Sequence, residues 1–556
     1  MDFFQLVEDA KNSALNSLWP YFGPEVILCV TIFALLMLRM FPLGKAIPPF
    51  FVALVGVLVA LTWTVPTDFI DGQLQRSELF SGMLVYDSFS VFVRALLLIF
   101  AALFTIFTWL SGVPDPDDGA DFYTLVLGST IGFCLMASAN HLLIVFLAVE
   151  MASVPSYALA AMLKGRRLAS EAALKYSVYG AGAAGVMLYG ISLLAGLLGT
   201  AHLPTMATLL AEQLPTFAGS EKMVLALGGL MMGVGLAFKL SAVPFHFWCP
   251  DVFEGATAEV GAFLSVASKA AAMALAIRVV IGLGVLPASA PALTETTAGP
   301  AAEVLLVSDP PMNAETGQDV LFPIRQFAAL VIACLAAITC TFGNLAAYGQ
   351  SNIKRLLAYS TIAHAGYMLL PLPAALLLFG VDPEAAREAI SAVALYMGIY
   401  LFMNLGAFAI VAFLRNDLGT EEIDDYAGLV RSRPGIVICM GIIFFSLVGI
   451  PPLAGFAGKF AIFAALANGY QLTGSVALML LLIIGGLNTV ISLFYYLRVI
   501  KVMAIDPEPA EPREPKWSLL SLSGAFVVLN AAALLLLFLQ WDSLNEWTLA
   551  ATRQLF

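Results

Sequence analysis

Lys239 lies about sixteen residues into an apolar run that begins near Met223. From Leu236 to Pro250 the run reads LAFKLSAVPFHFWCP, so Pro244 and His246 follow the lysine by five and seven residues. A charge at the centre of a hydrocarbon layer is costly. Proline removes a backbone donor and breaks a helix. Irregular backbone at membrane depth persists only inside protein or beside a wet cavity. Seven residues make about two helical turns, so Lys239 and His246 could share a face if the helix resumes after the break. Two titratable groups on a broken apolar helix suggest an ion path. The alternative is a proline kink with a snorkelling lysine, but Lys239 is far from either end of its run.

Other charges sit in similar surroundings. Glu150, in HLLIVFLAVEMASVPSYALAAML, is about ten residues from either end of its segment. A buried carboxylate needs a partner, and Lys239 is the best candidate, whether as a proton donor or as a purely structural pair. Lys269 is central in GAFLSVASKAAAMALAIRVV, among small residues that permit close helix packing. His364 lies in AYSTIAHAGYMLL and Lys459 in VGIPPLAGFAGKFAIF; the histidine reads equally as a relay or as a hydrogen-bonded core residue. Lys175, in EAALKYSVYG, is close enough to its segment start to snorkel. Arg94 and Arg278 read as anchors, and His141 and His202 as residues at outer ends. In chain order Glu150, Lys175, Lys239, His246, Lys269, His364 and Lys459 are expected to form a polar line parallel to the membrane, joined by water. Such a chain of ionisable groups is the usual basis of a proton pathway.

The elements that must hold these residues follow from composition. The chain is 60% hydrophobic and 12% charged, which predicts an all-α polytopic membrane protein. The start of the chain has acidic residues and no basic region before an apolar core, so no cleavable signal peptide is expected. A net charge of −12 argues against a nucleic-acid partner. None of the six cysteines forms a CxxC pair, there are four histidines, and no GxGxxG follows a predicted strand. No metal, haem, iron–sulfur or nucleotide site is therefore expected in this chain.

The pattern predicts about 14 transmembrane helices, at residues 24–41, 46–65, 88–112, 121–139, 141–163, 170–199, 223–250, 258–286, 323–346, 356–380, 387–415, 434–469, 474–503 and 517–541. Helices 7 and 12 are expected to be broken, and the 139–141 junction must be a hairpin. With the first segment entering from outside, fourteen lysines and arginines fall inside and six outside, so both termini are predicted on the outer side. Phe238, Leu240 and Pro244 match Phe445, Leu447 and Pro451 at an offset of 207. Two repeats of five helices would be inverted, the arrangement of transporters with a midplane site. The expected divisions are residues 1–120, a three-helix segment; 121–286, the first repeat; 287–322, an acidic outer loop; 323–503, the second repeat; and 504–556, a proline-rich inner linker with a last helix.

The stretches FLAVEMASVPSY, SEAALKYSVYGA, FKLSAVPFHFWCPDVFEGA, FLSVASKAAA, NIKRLLAYSTIAHAGYMLL and GIPPLAGFAGKF together carry a resemblance. Over residues 85–503 the chain resembles the antiporter-like membrane subunits of respiratory complex I, the proton-pumping NADH–quinone oxidoreductase. Lys459, where M-type subunits typically have glutamate, and the AALKY stretch point to the N-type branch, which is similar to mitochondrial NADH dehydrogenase subunit 2. The resemblance implies fourteen helices with inverted repeats, a pumping site at Glu150 and Lys239, a connecting lysine at Lys269 and an exit-side charge at Lys459. It implies no cofactor in this chain, with FMN, iron–sulfur clusters and quinone in partner subunits. It also implies the cell inner (plasma) membrane, with neighbouring antiporter-like and small membrane subunits and the lipid bilayer as partners. The long acidic loop and Cys249, where the family often has threonine, depart from the pattern. Rival readings are a multisubunit cation/proton antiporter, a complex I relative with another electron donor, and a scaffold with a vestigial charge row.

Overall fold

In the computed structural model, apolar runs become helices whose ends are set by local chemistry. The structure describes residues 21–40, 47–65, 69, 74–115, 117–163, 165–286, 319–508 and 517–556, with scattered positions among residues 8–19. Most of the acidic loop (287–318) and of the proline-rich linker (509–516) lies outside the described residues.

The chain begins with α1 (Gly23–Met40) and α2 (Pro49–Thr64), then a short hairpin of β1 (Ser77–Leu79) and β2 (Leu84–Tyr86). Next come α3 (Ser88–Ser111), α4 (Gly119–Ala137), α5 (Leu142–Ala160) and α6 (Arg167–Leu198). A surface helix α7 (Leu203–Gln213) leads to α8 (Gly219–Leu240), short α9 (Trp248–Gly255) and α10 (Ala258–Gly284). The second half holds α11 (Phe322–Ala347), α12 (Ile353–Leu369), α13 (Pro371–Leu378) and α14 (Pro383–Leu418). It closes with α15 (Pro434–Val448), α16 (Ala454–Thr473), α17 (Val476–Ala504), α18 (Leu522–Leu539) and α19 (Trp541–Thr552).

Among the described residues, twelve helices are long and apolar enough to cross a membrane, and α2 and α15 are shorter apolar helices. Every expected apolar segment meets a helix. The β-hairpin, α7 and α19 were not expected, because each is too short or too polar to register as a spanning run.

Caps explain the boundaries. The Asp87 carboxylate accepts from the Ser90 amide and the Ser90 hydroxyl answers, closing a capping box on α3. Asn352 and Thr257 cap α12 and α10 in the same sense. The core is α10, α12 and α14, which are buried along nearly their whole length. Small residues bring backbones together. A Cβ on Gly132 would stand 2.6 Å from the Ala152 amide, and one on Gly343 would stand 2.6 Å from the Ala363 amide.

The two halves share more local geometry. At the start of α5, Leu142 N donates to Ala201 O at 2.8 Å and Leu203 N to Asn140 O at 3.0 Å. At the start of α12, Ile353 N donates to Glu421 O at 3.0 Å and Ile423 N to Ser351 O at 2.9 Å. Both broken segments also stop alike. After α8, Ser241 turns left-handed at φ 58 and Pro244 follows three residues on. After α15, Gly449 does so at φ 91, and Pro452 follows three residues on. This match has an offset of 208, one residue more than the side-chain pattern indicates.

Candidate functional site

The breaks in α8 and α15 create the polar centre of the protein. A helix end leaves its last carbonyls without partners and favours a cation there. At the first break, Lys269 of α10 fills that role. Its Nζ donates to the Lys239 carbonyl oxygen at 3.0 Å and to Ser241 Oγ. At the second break, Lys459 of α16 donates to the Val448 carbonyl at 2.9 Å. Ser241 is a non-glycine residue in the left-handed region, which costs about 1–2 kcal/mol. Glycine would avoid that cost, but it would remove the hydroxyl that meets Lys269.

Lys239 itself points away from the break, into the first half. Its Nζ donates to Ser153 Oγ on α5 at 3.0 Å and lies 5.9 Å from the Phe133 ring centroid. Glu150 stands one turn before Ser153 on α5 and is half-buried. The expected contact of Lys239 is therefore made to the serine one turn from Glu150. Lys239, Lys269 and Lys459 are each no more than 3% exposed. Each also sits against an aromatic ring, with Trp248 5.0 Å from Lys269 and Tyr367 4.2 Å from Lys459. Such a ring partly compensates a cation without titrating against it.

Hydroxyl groups bridge the two halves. Ser265, one turn before Lys269 on α10, lies 2.9 Å from Thr361 Oγ1 and 3.1 Å from the Tyr400 hydroxyl. Thr361 is one turn before His364 on α12. His364 Nδ1 lies 2.6 Å from the Tyr396 hydroxyl, and Nε2 lies 3.2 Å from the Tyr496 hydroxyl. Tyr367, the ring against Lys459, is one turn after His364. Buried polar groups thus run from Glu150 through Lys239, Lys269 and His364 towards Lys459. Ser153, Ser241, Ser265, Thr361, Tyr396, Tyr400 and Tyr496 were missed in the sequence. Three of them lie three or four positions from a candidate charge: Ser153 from Glu150, Ser265 from Lys269, and Thr361 from His364. A search for hydroxyls at helical spacing from those charges would have found these three, and not Ser241 or the tyrosines.

Lys175 and His246 are placed elsewhere. Lys175 is about one-third exposed and pairs with Glu171 and Asp251, each at 2.7 Å. Arg355 joins the same cluster through Asp251 at 2.8 Å and Glu254 at 2.7 Å. His246 packs against Phe342 of α11 with ring centroids 4.5 Å apart. It does not share a face with Lys239, because the left-handed turn at Ser241 takes the chain out of the helix before His246 is reached.

The buried arginines all have carboxylate partners at or near helix ends. Arg278 grips Asp87 with bonds of 2.5 and 2.6 Å, and Arg94 meets Glu25 at 2.8 Å. Arg433 meets Asp417 at 2.5 Å, Arg325 pairs with Asp319, and the part-buried Arg415 meets Glu259 at 3.2 Å. Among the described residues, no group of three His, Cys, Asp or Glu side chains is placed to hold a metal.

Comparison with known proteins gives this arrangement a lineage. The family described as NADH:quinone oxidoreductase/Mrp antiporter, TM, matches residues 139–293 and 317–485. The NADH-quinone oxidoreductase subunit N of an Anaeromyxobacter species is 37% identical, over all of this chain and 99% of its own. The protein of the same name from Parvibaculum lavamentivorans is 36% identical, over 91% of this chain and 92% of its own. A chain of respiratory complex I from Thermus thermophilus, solved with bound aureothin, aligns at TM-score 0.68 and 29% identity, over 94% of this chain and 98% of its own. A chain of the Mrp complex from a Dietzia species shares the fold at TM-score 0.70 and 18% identity, over 98% of this chain and 97% of its own. The chain is therefore a multi-pass membrane protein that belongs to the NADH:quinone oxidoreductase/Mrp antiporter family, in its subunit N branch.

Proposed function

We propose that this chain is the N-type proton-translocating subunit of an NADH–quinone oxidoreductase and moves protons along Glu150, Lys239, Lys269, His364 and Lys459. Its partners are the neighbouring membrane subunits of that complex, and flavin, iron–sulfur and quinone chemistry takes place in partner subunits. The observation that carries this reading is the row of buried lysines that, among the described residues, form no ion pair with a carboxylate and are held on hydroxyl and backbone carbonyl oxygens. A lysine held on neutral oxygens can lose its proton without leaving an opposite charge stranded. A charge arriving beside Glu150 would alter the balance at Lys239, and the hydroxyls of Ser265, Tyr400 and Tyr396 would carry the change towards Lys459.

The same proposal includes fourteen membrane crossings with both termini outside, and two inverted five-helix repeats at residues 121–286 and 323–503. The matched backbone bonds at the starts of α5 and α12, and the matched stops of α8 and α15, support the repeat. Lys175 and His246 lie off the line, in an ion cluster and in an aromatic contact.

The test is Lys239→Ala in the intact complex, reconstituted into vesicles. Protons moved per NADH oxidised should fall to below about a tenth, the scale on which a lost proton-transfer group acts. An unchanged ratio overturns the relay. A complex that drives sodium-dependent proton flux without oxidising NADH would instead make the chain part of a cation antiporter.

A further inference from the structure

We infer that a cavity between α8 and α11 binds an acyl chain of an anionic phospholipid. The cavity holds about 610 Å³ and is lined almost wholly by aliphatic side chains and glycine. Its long walls come from α8 and α11, with α10 and α13 behind. The volume is in the range of small-molecule sites, roughly 300–1,000 Å³. Water would find too few polar partners there, since a buried water needs about two to four. An empty apolar space loses the dispersion contacts of its walls. Hydrocarbon is the filling that meets both conditions inside a membrane.

The rim specifies the headgroup. At the end where α8 and α11 begin, Lys222 lines the cavity beside Asp319 and Arg325. Arg325 is neutralised by Asp319 and also donates to the Gly284 and Leu376 carbonyls. Lys222 is exposed and, among the described residues, makes no ion pair. One free cation above an apolar slot matches an anionic lipid headgroup with its tail below. The floor is shaped for a chain, because Gly229 and Gly233 line the slot and a Cβ on either would meet nothing within 4 Å.

The site bears on the lysine line without depending on it. Leu236, Ala237, Leu240 and Ala242 form the deep end of the cavity. These residues bracket Lys239 and Ser241, whose polar atoms face the other way. A bound acyl chain would close the lipid-facing side of the break to water.

The probe is phosphatidylglycerol with a photoactivatable group in its acyl chain, compared with phosphatidylethanolamine labelled in the same way, in vesicles holding the intact complex. Crosslinks should map to peptides containing Leu236–Leu240 and residues 331–335. Gly233→Trp should abolish them, while Gly185→Trp, at another glycine with open space around it, should not. Lys222→Glu should lower phosphatidylglycerol labelling roughly fivefold, the worth of one lysine beside an anionic lipid, and leave phosphatidylethanolamine labelling little changed. Absence of crosslinks in the parent complex, with the same peptides instead shielded by a neighbouring subunit, overturns the site in favour of a protein occupant. Undiminished labelling in Gly233→Trp also overturns it. Equal labelling by both lipids in the parent overturns the assignment of an anionic headgroup.

Discussion

Two sets of buried cations divide this molecule. Arg94, Arg278, Arg325 and Arg433 lie at or near helix ends, each held by a carboxylate. Lys239, Lys269 and Lys459 lie at or facing the two helix breaks, and their hydrogen bonds go to serine hydroxyls and backbone carbonyls. Burial is similar in the two sets, so the difference is one of chemistry. Guanidinium does not deprotonate in a protein, and its planar fork suits a permanent pair. An amine can take up and release a proton, and neutral oxygens leave it free to do so. Lys354 marks the boundary: it is a buried lysine at a helix start, but it is held by Glu421 at 2.8 Å and sorts with the structural set. Position and partner therefore separate the carboxylate-paired cations from those held on neutral oxygens more cleanly than burial does.

Lys239→Arg should break the comparison most sharply. It keeps the positive charge but removes the ability to release a proton. Pumping per NADH oxidised should fall as far as in Lys239→Ala, to below about a tenth, while the complex assembles. Pumping retained with arginine would mean that the charge matters and the titration does not.

The opposite signature is expected at the structural set. Asp87→Ala leaves Arg278 buried without its partner and removes the cap of α3. Breaking such a pair costs about 3–5 kcal/mol, so thermal stability and yield should drop while each assembled complex pumps normally. Burial pushes the Asp87 carboxyl up, but the Arg278 charge and hydrogen bonds, with the Ser90 amide, outweigh it and hold the group below its usual range. A lowered folded value means that the stabilisation is fully present above the unfolded value, about 3.9, and is lost as pH falls through the folded one. The deficit of Asp87→Ala should thus be constant between pH 6 and pH 8 and shrink only in strong acid. A deficit that changed between pH 6 and 8 would mean that another group titrates with the pair.

A smaller effect is expected at the hydroxyl bridge. Tyr400→Phe removes one of the two partners of Ser265 but leaves Thr361 in place. Pumping should slow severalfold at saturating substrate, with normal assembly. Adding Thr361→Val should deepen the loss towards that of the lysine variants. If the double variant pumps as well as the single, protons reach His364 by another route.

The charges and the breaks were legible in the sequence because each violates the apolar rule of its segment. Lys239 and Lys459 stand out in this way, and Pro244 and Pro451 announce the interruptions. The hydroxyls were less legible: Ser265 and Thr361 carry only a helical spacing to Lys269 and His364, Tyr400 carries no signal, and they become a bridge only when α10, α12 and α14 pack. The pairing of Lys175 was hidden for the same reason. Its partner Asp251 is 76 residues away and reaches it only because the break lets α9 fold back against α6. The direct Glu150–Lys239 contact was expected from charge alone, and the partner Lys239 takes, Ser153, could be inferred only from its i+3 spacing to Glu150. The sequence pattern shows which residues are costly to bury, while packing decides which of them are compensated.

Lys175 gives the last and smallest test, because it is the candidate that the two classes sort differently from the pattern of charges. As a relay member it should behave like Lys239. As a paired cation at a helix start it should behave like a weak version of Arg278. It is about one-third exposed, and Arg355 also holds Asp251, so the cluster keeps a cation when the lysine is removed. Exposed pairs contribute about 0–1 kcal/mol. Lys175→Ala should therefore lower pumping by less than about half and stability only slightly. Arg355→Ala with Lys175→Ala should do much more, since Asp251 and Glu254 would then have no cation left in the cluster. A severe loss of pumping from Lys175→Ala alone, with normal assembly, would place this residue with Lys239, Lys269 and Lys459. It would also show that a lysine with two carboxylate partners can still pass a proton.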